Sequence, residues 1–230
     1  MYLPTDSAPE PAPASLLLCY ITDRSQFPGG SADQERRLLE KVAECGAAAV
    51  DFIQLREKDL SARHLEELAR KTAAALPAGS KTQLLINSRT DVALASGAHG
   101  VHLPANDLLA SDVRGIMVRA GGTAPVIGVS THSVAEVAQA ESHGADFAVF
   151  GPVFEKDGQP VPRGFEQLRQ ACHRPHIDGA PMPVLALGGI TLENVRECFA
   201  AGATGIAAIR LFQRNAVEPI VGRLRSWFGQ

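Results

Sequence analysis

The stretch CGAAAVDFIQLRE, residues 45–57, places a glycine–alanine pair between a helix-like segment and a short apolar strand. The same pair recurs at Gly97-Ala98, Gly144-Ala145 and Gly202-Ala203, each time before another apolar run. Glycine after a helix end readily adopts the left-handed conformation that closes the last turn, so each copy predicts a helix-to-strand hinge. The copies lie roughly 50 residues apart, which suits two strand–helix units each. The four copies therefore predict eight strands and eight helices, a single (β/α)8 TIM barrel.

Length and composition agree with one domain of this kind. The chain has 230 residues and is 45% hydrophobic, enough for one large core, and such barrels typically need about 250 residues. A net charge of −3 gives no indication of nucleic-acid or membrane-surface binding. Residues 1–15 are rich in proline, alanine and serine, which predicts a flexible leader before a barrel over residues 16–230.

The cysteines indicate a reducing compartment. The chain has four, without any CxxC spacing, and they fall in apolar strand or helix contexts. This pattern favours buried free thiols in the cytoplasm over disulfides or a zinc site. No apolar run approaches the ~20 residues that a membrane-spanning helix needs. The sequence leaves the oligomeric state open, including a homo-oligomer.

Short apolar runs bounded by turn residues predict the parallel strands. The predicted strands are Leu16–Thr22, Val50–Leu55, Gln83–Asn87, Gly100–Leu103, Val126–Ser130, Phe147–Gly151, Val184–Leu187 and Gly205–Ile209. The predicted helices are Ala32–Cys45, Ala62–Ala75, Thr90–Ser96, Ser111–Ala120, Ser133–His143, Gly164–His173, Leu192–Ala201 and Ala216–Phe228. An open doubly wound sheet is the alternative, and the absence of a GxGxxG turn after the first strand counts against it.

Polar residues follow nearly every predicted strand, and in such barrels the carboxyl ends of the strands carry the active site. They are Asp23; Gln54, Arg56 and Lys58; Asn87; His102 and Asp107; Ser130 and His132; and the Gly188-Gly189 turn.

Gln54, Arg56 and Lys58 alternate along the second strand, so they share one side of it. Two cations and an amide suit an anion with several oxygens, such as a diphosphate. An ion-pair layer with Glu57 or Asp51 is the alternative, although alternation puts those acids on the other side.

Asp107 has two readings. It could ligate Mg²⁺, which prefers carboxylate oxygens, or it could cap the helix that follows. His102 and His132 at one barrel mouth favour proton transfer by one of them. Ser130 could cap the fifth helix or bind phosphate. Gly188-Gly189 enters a helix and offers backbone amides to a phosphate. The loop at Phe154–Pro162 is interpreted as either a mobile cover of the mouth or a plain surface connection.

Six motifs, in order, resemble the thiamine phosphate synthase / TenI family over nearly the whole chain from about Leu16. They are YITD at Tyr20–Asp23, FIQLREKD at Phe52–Asp59, LLINSRTDVALASGAHGVHLPAND at Leu84–Asp107, GVSTHS at Gly128–Ser133, GADFAVFGPVF at Gly144–Phe154 and LALGGIT at Leu185–Thr191. The family fold is a (β/α)8 barrel, and its synthases join a hydroxymethylpyrimidine diphosphate to a thiazole phosphate with Mg²⁺, releasing diphosphate.

The resemblance implies roles for the residues at the strand ends. Gln54, Arg56 and Lys58 would hold the pyrimidine diphosphate, and Asn87 would lie against the pyrimidine ring. Asp107 would be a metal ligand, Ser130 would lie near the reacting diphosphate, and Gly188-Gly189 would bind the thiazole phosphate. His102 is grouped with the substrate-binding residues.

The sequence departs from the synthase pattern at three places. Ser88 stands where synthases carry a second metal-binding aspartate, EKDGQ at 155–159 replaces a Thr-x-Thr-Lys loop, and Arg210 replaces a small serine. Arg210 is interpreted as a replacement phosphate cation or as part of a salt bridge at the rim. The family's tautomerase branch isomerises a thiazole carboxylate phosphate without a metal, using a histidine that matches His132. Synthase, tautomerase and non-catalytic ligand-binding barrel are therefore the three hypotheses, with the synthase first.

Overall fold

The computed structural model describes residues 16–156, 158–161, 163–175 and 181–228. The predicted leader at residues 1–15 lies outside the described residues. No helix among the described residues is long and apolar enough to cross a membrane.

Eight parallel strands close into a barrel, which confirms the predicted TIM barrel. The barrel strands are β1 Leu17–Ile21, β2 Phe52–Leu55, β3 Gln83–Asn87, β4 Gly100–Leu103, β5 Val126–Thr131, β6 Phe147–Phe150, β9 Val184–Leu187 and β10 Gly205–Ala208. Their order around the barrel is β1-β10-β9-β6-β5-β4-β3-β2. Each differs from its predicted bounds by two residues or fewer at either end, because short apolar runs between turn residues mark buried strands clearly.

Helices connect the strands on the outside of the barrel. They are α1 Ser31–Ala47, α2 Ala62–Ala75, α3 Thr90–Ser96, α4 Ala110–Arg119, α5 Val134–Ser142, α6 Gly164–Cys172, α7 Val195–Ala200, α8 Arg210–Gln213 and α9 Val217–Trp227. A 3₁₀ turn at Arg24–Gln26 and the four-residue α8 were not predicted, because neither is long enough to show a hydrophobic period.

Three of the four glycine–alanine hinges adopt the predicted left-handed glycine. Gly97, Gly144 and Gly202 have φ of 70°, 74° and 92°. The first hinge is different: Gly46 lies inside α1, and Ala49 has the positive φ, 56°. At Gly46 a Cβ would lie 2.6 Å from Pro77 Cδ, so that glycine permits close packing and does not make the turn.

The core has two layers. The larger one fills the space between the strands and the helices. The smaller one lies inside the barrel, where the Phe52 and Phe147 rings stack with centroids 4.7 Å apart. This apolar cluster lies inside the barrel, below the polar residues at the carboxyl ends of the strands.

The connection after β6 is folded. β7 Glu155–Lys156 pairs antiparallel with β8 Gln159–Pro160 in a small hairpin, while residues 157 and 162 lie outside the described residues. Glu155 lines the barrel mouth, so this connection contributes to the cover of the site.

Candidate active site

One cavity of about 590 Å³ opens at the carboxyl ends of the barrel strands. It collects side chains that are far apart in sequence, and it includes eight of the predicted site residues: Gln54, Arg56, Lys58, Asn87, His102, Ser130, His132 and Gly188. We call it the mouth cavity. Two further predicted residues, Gly189 and Arg210, line an adjoining pocket, and Asp107 lines a separate groove.

Gln54 and Asn87 form the floor of the mouth cavity. Gln54 Nε2 donates to Asn87 Oδ1 at 2.8 Å, and the Gln54 side chain is almost fully buried. Gln54 Oε1 is also buried and has no hydrogen-bond partner among the described residues. A buried acceptor without a partner is costly, by about 1–3 kcal/mol, so this oxygen favours a ligand that brings an N–H donor.

His102 and Ser130 form a second polar pair beside that floor. His102 Nε2 and Ser130 Oγ share a hydrogen bond of 2.8 Å. Burial, with a smaller contribution from the charge of Arg56, lowers the pKa of His102 from 6.5 to about 3. The imidazole is therefore neutral near pH 7. Ser130 does not cap α5, because Ser133 accepts the hydrogen bond from the Glu136 N–H and performs that role.

Arg56 and Lys58 supply positive charge to the cavity. Neither side chain takes part in an ion pair among the described residues, whereas the adjacent acids Glu57 and Asp59 both bind Arg24. The alternative interpretation, an ion-pair layer between these cations and Glu57 or Asp51, is therefore not found in the described part of the chain. Two cations that form no ion pair among these residues are suited to a polyanionic group, although Asp23 lines the same cavity and interacts electrostatically with Arg56.

The glycine turn after β9 lines a pocket of about 120 Å³ next to the mouth cavity. Gly188 and Gly189 have φ of 103° and 67°, and a Cβ on Gly189 would lie 2.7 Å from Glu155 Cβ. Only glycine fits this turn without strain. No hydrogen bond from the Gly189 or Ile190 N–H occurs among the described residues outside helices and strands. These amides are available to an anion, but the prediction that the turn enters a helix directly is wrong, because α7 begins only at Val195.

Arg210 is paired with an acid. Its Nη2 lies 2.7 Å from Glu155 Oε1, so the salt-bridge interpretation holds in this structure. The hydrogen bond from Arg210 lowers the pKa of Glu155, which is therefore ionised at neutral pH. Both residues line the glycine-turn pocket. Arg210 can therefore bind an anion there only if its ion pair with Glu155 breaks, or if its guanidinium contacts Glu155 and the anion together.

His132 is oriented by the backbone. The ring Nδ1 donates to the carbonyl oxygen of Gly151, and the backbone N–H of His132 donates to Glu136 Oε2 at 2.7 Å. Because a carbonyl oxygen only accepts, Nδ1 carries the proton and the lone pair of the neutral ring is on Nε2. This arrangement provides an acid/base group at the rim of the mouth cavity.

Asp107 lies outside the mouth cavity, in a groove that shares Pro104, Ala105 and Ser130 with it. The Ser88 hydroxyl donates to Asp107 Oδ2 at 2.7 Å. The capping interpretation of Asp107 is wrong, because α4 begins at Ala110 and Leu109 is its N-cap, without a side-chain hydrogen bond.

The donor set for a metal is small. The described residues contain no group of three or more His, Cys, Asp or Glu side chains placed to hold a metal ion. One carboxylate, Asp107, with a hydroxyl beside it suits only an ion that takes its other ligands from substrate oxygens and water. Mg²⁺ is often bound in that way.

Three polar residues that line the mouth cavity are not among the predicted site residues. Asp23, Gln26 and Glu155 also line the mouth cavity. Asp23 follows the first strand, but its sequence context indicates no particular chemistry. Glu155 lies in a polar stretch whose hairpin gives no periodic signal, and charge pairing with Arg210 across 55 residues cannot be read from spacing.

Comparison with known proteins agrees with this geometry. The TMP-TENI family, described as thiamine monophosphate synthase, matches residues 18–212. A relative from Geobacter sulfurreducens is 43% identical over 197 residues, 84% of each chain. Thiamine-phosphate synthases from Halalkalibacterium halodurans and Chlorobium phaeovibrioides are 39% and 38% identical, over 76% and 88% of this chain and 80% and 89% of theirs.

A solved structure is similar over the whole barrel. The thiamine phosphate pyrophosphorylase from Pyrococcus furiosus superimposes with a TM-score of 0.73 at 29% identity, covering 94% of this chain and 96% of the other. The match extends over the strand ends that build the mouth cavity. The chain belongs to the thiamine monophosphate synthase family.

Proposed function

We propose that this protein is a transferase of thiamin biosynthesis. It transfers the hydroxymethylpyrimidine group from its diphosphate to a thiazole phosphate and releases diphosphate. The observation that carries the proposal is that two separate sets of groups suited to anions line one barrel mouth. Arg56 and Lys58 supply cations without an ion pair among the described residues, and the glycine turn supplies the Gly189 and Ile190 N–H groups in the adjoining pocket.

The floor of the mouth cavity orients the pyrimidine. Gln54 Oε1 is a buried acceptor without a partner, and Asn87 is held beside it by the hydrogen bond from Gln54. An amino-substituted pyrimidine satisfies that acceptor and is fixed with its diphosphate toward Arg56. Orientation of this kind contributes several kcal/mol to a reaction between two bound substrates.

Charge stabilisation does most of the catalytic work in this proposal. When the bond from the pyrimidine methylene carbon to the diphosphate oxygen breaks, negative charge grows on the leaving group and positive charge on the pyrimidine. Arg56 and Lys58 stabilise the negative charge on the leaving group. The neutral His102 adds no positive charge near the cationic pyrimidine. The thiazole nitrogen then donates its electron pair to the carbon, and no strong base is needed.

Magnesium, when bound, would neutralise charge on the leaving diphosphate, with Asp107 as the protein carboxylate that holds it. The Ser88 hydroxyl would orient that carboxylate, as it already donates to it.

The test is release of pyrophosphate from the two substrates in the presence of Mg²⁺. We expect release by the unaltered protein and its loss on Arg56→Ala. Arg63→Ala is the matched control, because Arg63 is an exposed arginine on α2 outside the mouth cavity. No release by the unaltered protein would refute the transferase, and so would full activity of Arg56→Ala.

A second candidate is the tautomerase reaction, favoured by the orientation of His132. With Nδ1 bound to Gly151, the free Nε2 can take a proton from one carbon of a thiazole carboxylate phosphate and return it to another, leaving the aromatic ring. Aromatisation of that substrate without pyrophosphate release, abolished by His132→Ala, would support this candidate. Binding of the ligands with neither reaction would support a non-catalytic barrel.

A further inference from the structure

We propose that Thr22, Arg24 and Glu57 form a positioning clamp for the diphosphate-binding cations. The clamp withdraws the acids of the segment Arg56–Asp59 from the mouth cavity and fixes the backbone at Arg56. The inference rests on the proposed function, in which Arg56 and Lys58 bind the diphosphate. It assigns a role to three side chains that do not touch that group.

Glu57 is the centre of the clamp, and its side chain is only 2% exposed. Its Oε1 accepts the Thr22 hydroxyl at 2.6 Å, and its Oε2 accepts the Arg24 N–H at 3.1 Å and Arg24 Nη1 at 2.9 Å. Burial raises the pKa of Glu57, and these hydrogen bonds counteract that effect. A buried carboxylate with so many donors is held firmly in one orientation, away from the cavity.

Arg24 binds the second acid of the segment as well. Its Nη1 and Nη2 lie 2.8 and 2.6 Å from the two oxygens of Asp59. The planar guanidinium therefore joins Glu57 and Asp59, one on each side of Lys58. Both acids of the segment are therefore bound by Arg24, whereas Asp23, which also lines the mouth cavity, interacts electrostatically with Arg56. The alternating sequence Arg-Glu-Lys-Asp is thus sorted, with its bases lining the cavity and its acids facing the clamp.

Thr22 connects this sorting to the position of Arg56. Its hydroxyl donates to Glu57 and its oxygen accepts the Arg56 N–H at 3.0 Å. Its own N–H donates to the Gln54 carbonyl oxygen at 3.0 Å, the last step of the β1–β2 ladder. Thr22 is fully buried. One hydroxyl therefore ties the end of β2, and with it the base of the Arg56 side chain, to β1.

A buried ion pair is weak evidence for stability, because desolvation offsets the attraction. The arrangement is better explained by its effect on the cavity. Unpaired acids next to Arg56 and Lys58 would lower the positive potential that a diphosphate meets there. A loose loop would also require ordering on binding, which reduces affinity.

The experiment measures pyrophosphate binding by calorimetry and the two Michaelis constants by pyrophosphate release. Thr22→Val removes the hydroxyl at nearly constant volume, and Thr22→Ser retains it. We expect Thr22→Val to weaken pyrophosphate binding about tenfold, equivalent to about 1.4 kcal/mol, and to raise KM for the pyrimidine diphosphate. KM for the thiazole phosphate should be unchanged, and Thr22→Ser should restore binding.

Thr82→Val is the matched control. Thr82 is buried and donates to the Val50 carbonyl oxygen at 2.6 Å, but it precedes β3 at the opposite end of the barrel. Arg24→Lys, which keeps the charge but loses the two-armed contact, is expected to weaken pyrophosphate binding as well. If Thr22→Val does not fold, pyrophosphate binding by Arg24→Lys tests the clamp instead.

Equal pyrophosphate binding by the unaltered protein and by a folded Thr22→Val or Arg24→Lys variant would overturn the clamp. An equal rise of both Michaelis constants would do the same, because it indicates a general structural effect. Absence of pyrophosphate binding by the unaltered protein would instead refute the proposed function. The two failures are therefore distinguishable.

Discussion

Replacing His102 with glutamine should reduce the loss of stability that the protein suffers on acidification. His102 is fully buried at the floor of the mouth cavity, and burial lowers its pKa from 6.5 to about 3. Glutamine does not titrate and can still present a nitrogen to Ser130, which now shares a hydrogen bond with His102 Nε2. The change therefore removes the titration while keeping a polar group at the site.

The lowered pKa of His102 determines how the free energy of unfolding changes with pH. Between pH 6.5 and 3 the unfolded chain binds a proton at this histidine and the native protein does not. Its contribution to stability is complete above pH 6.5 and is lost progressively as the pH falls. From pH 7 to pH 5 the loss amounts to about 2 kcal/mol in the free energy of unfolding.

The assay is urea unfolding followed by the fluorescence of Trp227, the only tryptophan, at pH 7 and pH 5. The free energy of unfolding of the native sequence should fall by about 2 kcal/mol more than that of His102→Gln over this interval. The other histidines and the carboxyl groups occur in both proteins, so their contributions cancel. An equal fall in the two proteins would refute a neutral buried His102, and a larger fall in His102→Gln would contradict the sign.

Three further predictions concern other parts of the site and the core. Glu155→Gln should tighten binding of inorganic phosphate roughly threefold by freeing Arg210, and calorimetry showing equal or weaker binding would contradict this. Ser88→Asp should lower the Mg²⁺ concentration for half-maximal pyrophosphate release, because it adds a carboxylate beside Asp107. Residue 88 has a positive φ, which Asp tolerates. An unchanged Mg²⁺ requirement would count against Asp107 as a ligand. Cys172 is half-buried, whereas the thiols of Cys19, Cys45 and Cys198 are buried and burial raises their pKa to about 12; these three should react with a disulfide dye at pH 8 only after unfolding, and their labelling in the native protein would show that they are accessible.

The barrel could be predicted from sequence because its signals are local. Each strand is a short apolar run, and three of the four glycine hinges take the left-handed conformation that glycine alone adopts freely. The prediction for the first hinge was wrong because glycine can either form a left-handed turn or permit close packing. Gly46 makes room for Pro77, and a sequence does not distinguish close packing from a turn.

The composition of the mouth cavity was also predictable, because barrel geometry brings the carboxyl ends of all strands together. The alternation of Gln54, Arg56 and Lys58 correctly placed their neighbouring acids on the other face. What the sequence did not contain was the partner of those acids. Arg24 lies in an irregular turn, and its contacts with Glu57 and Asp59 depend on how two loops pack.

The remaining differences concern residues whose role depends on distant neighbours. Asp107 looked equally like a cap and a metal ligand, and the start of α4 at Ala110 removed the first reading. Arg210 looked like either a phosphate cation or part of a salt bridge at the rim, and the hairpin brings Glu155 to it, which supports the salt bridge. Both outcomes depend on loop conformation, which carries little periodic signal.

The most direct measurement of the central claim is a crystal structure of the protein with pyrophosphate and the thiazole phosphate bound together. We expect diphosphate oxygens within about 3 Å of the Arg56 and Lys58 nitrogens, and the thiazole phosphate at the Gly188-Gly189 turn. Both anions at the glycine turn, or a diphosphate out of reach of Arg56, would refute the proposed roles of these residues.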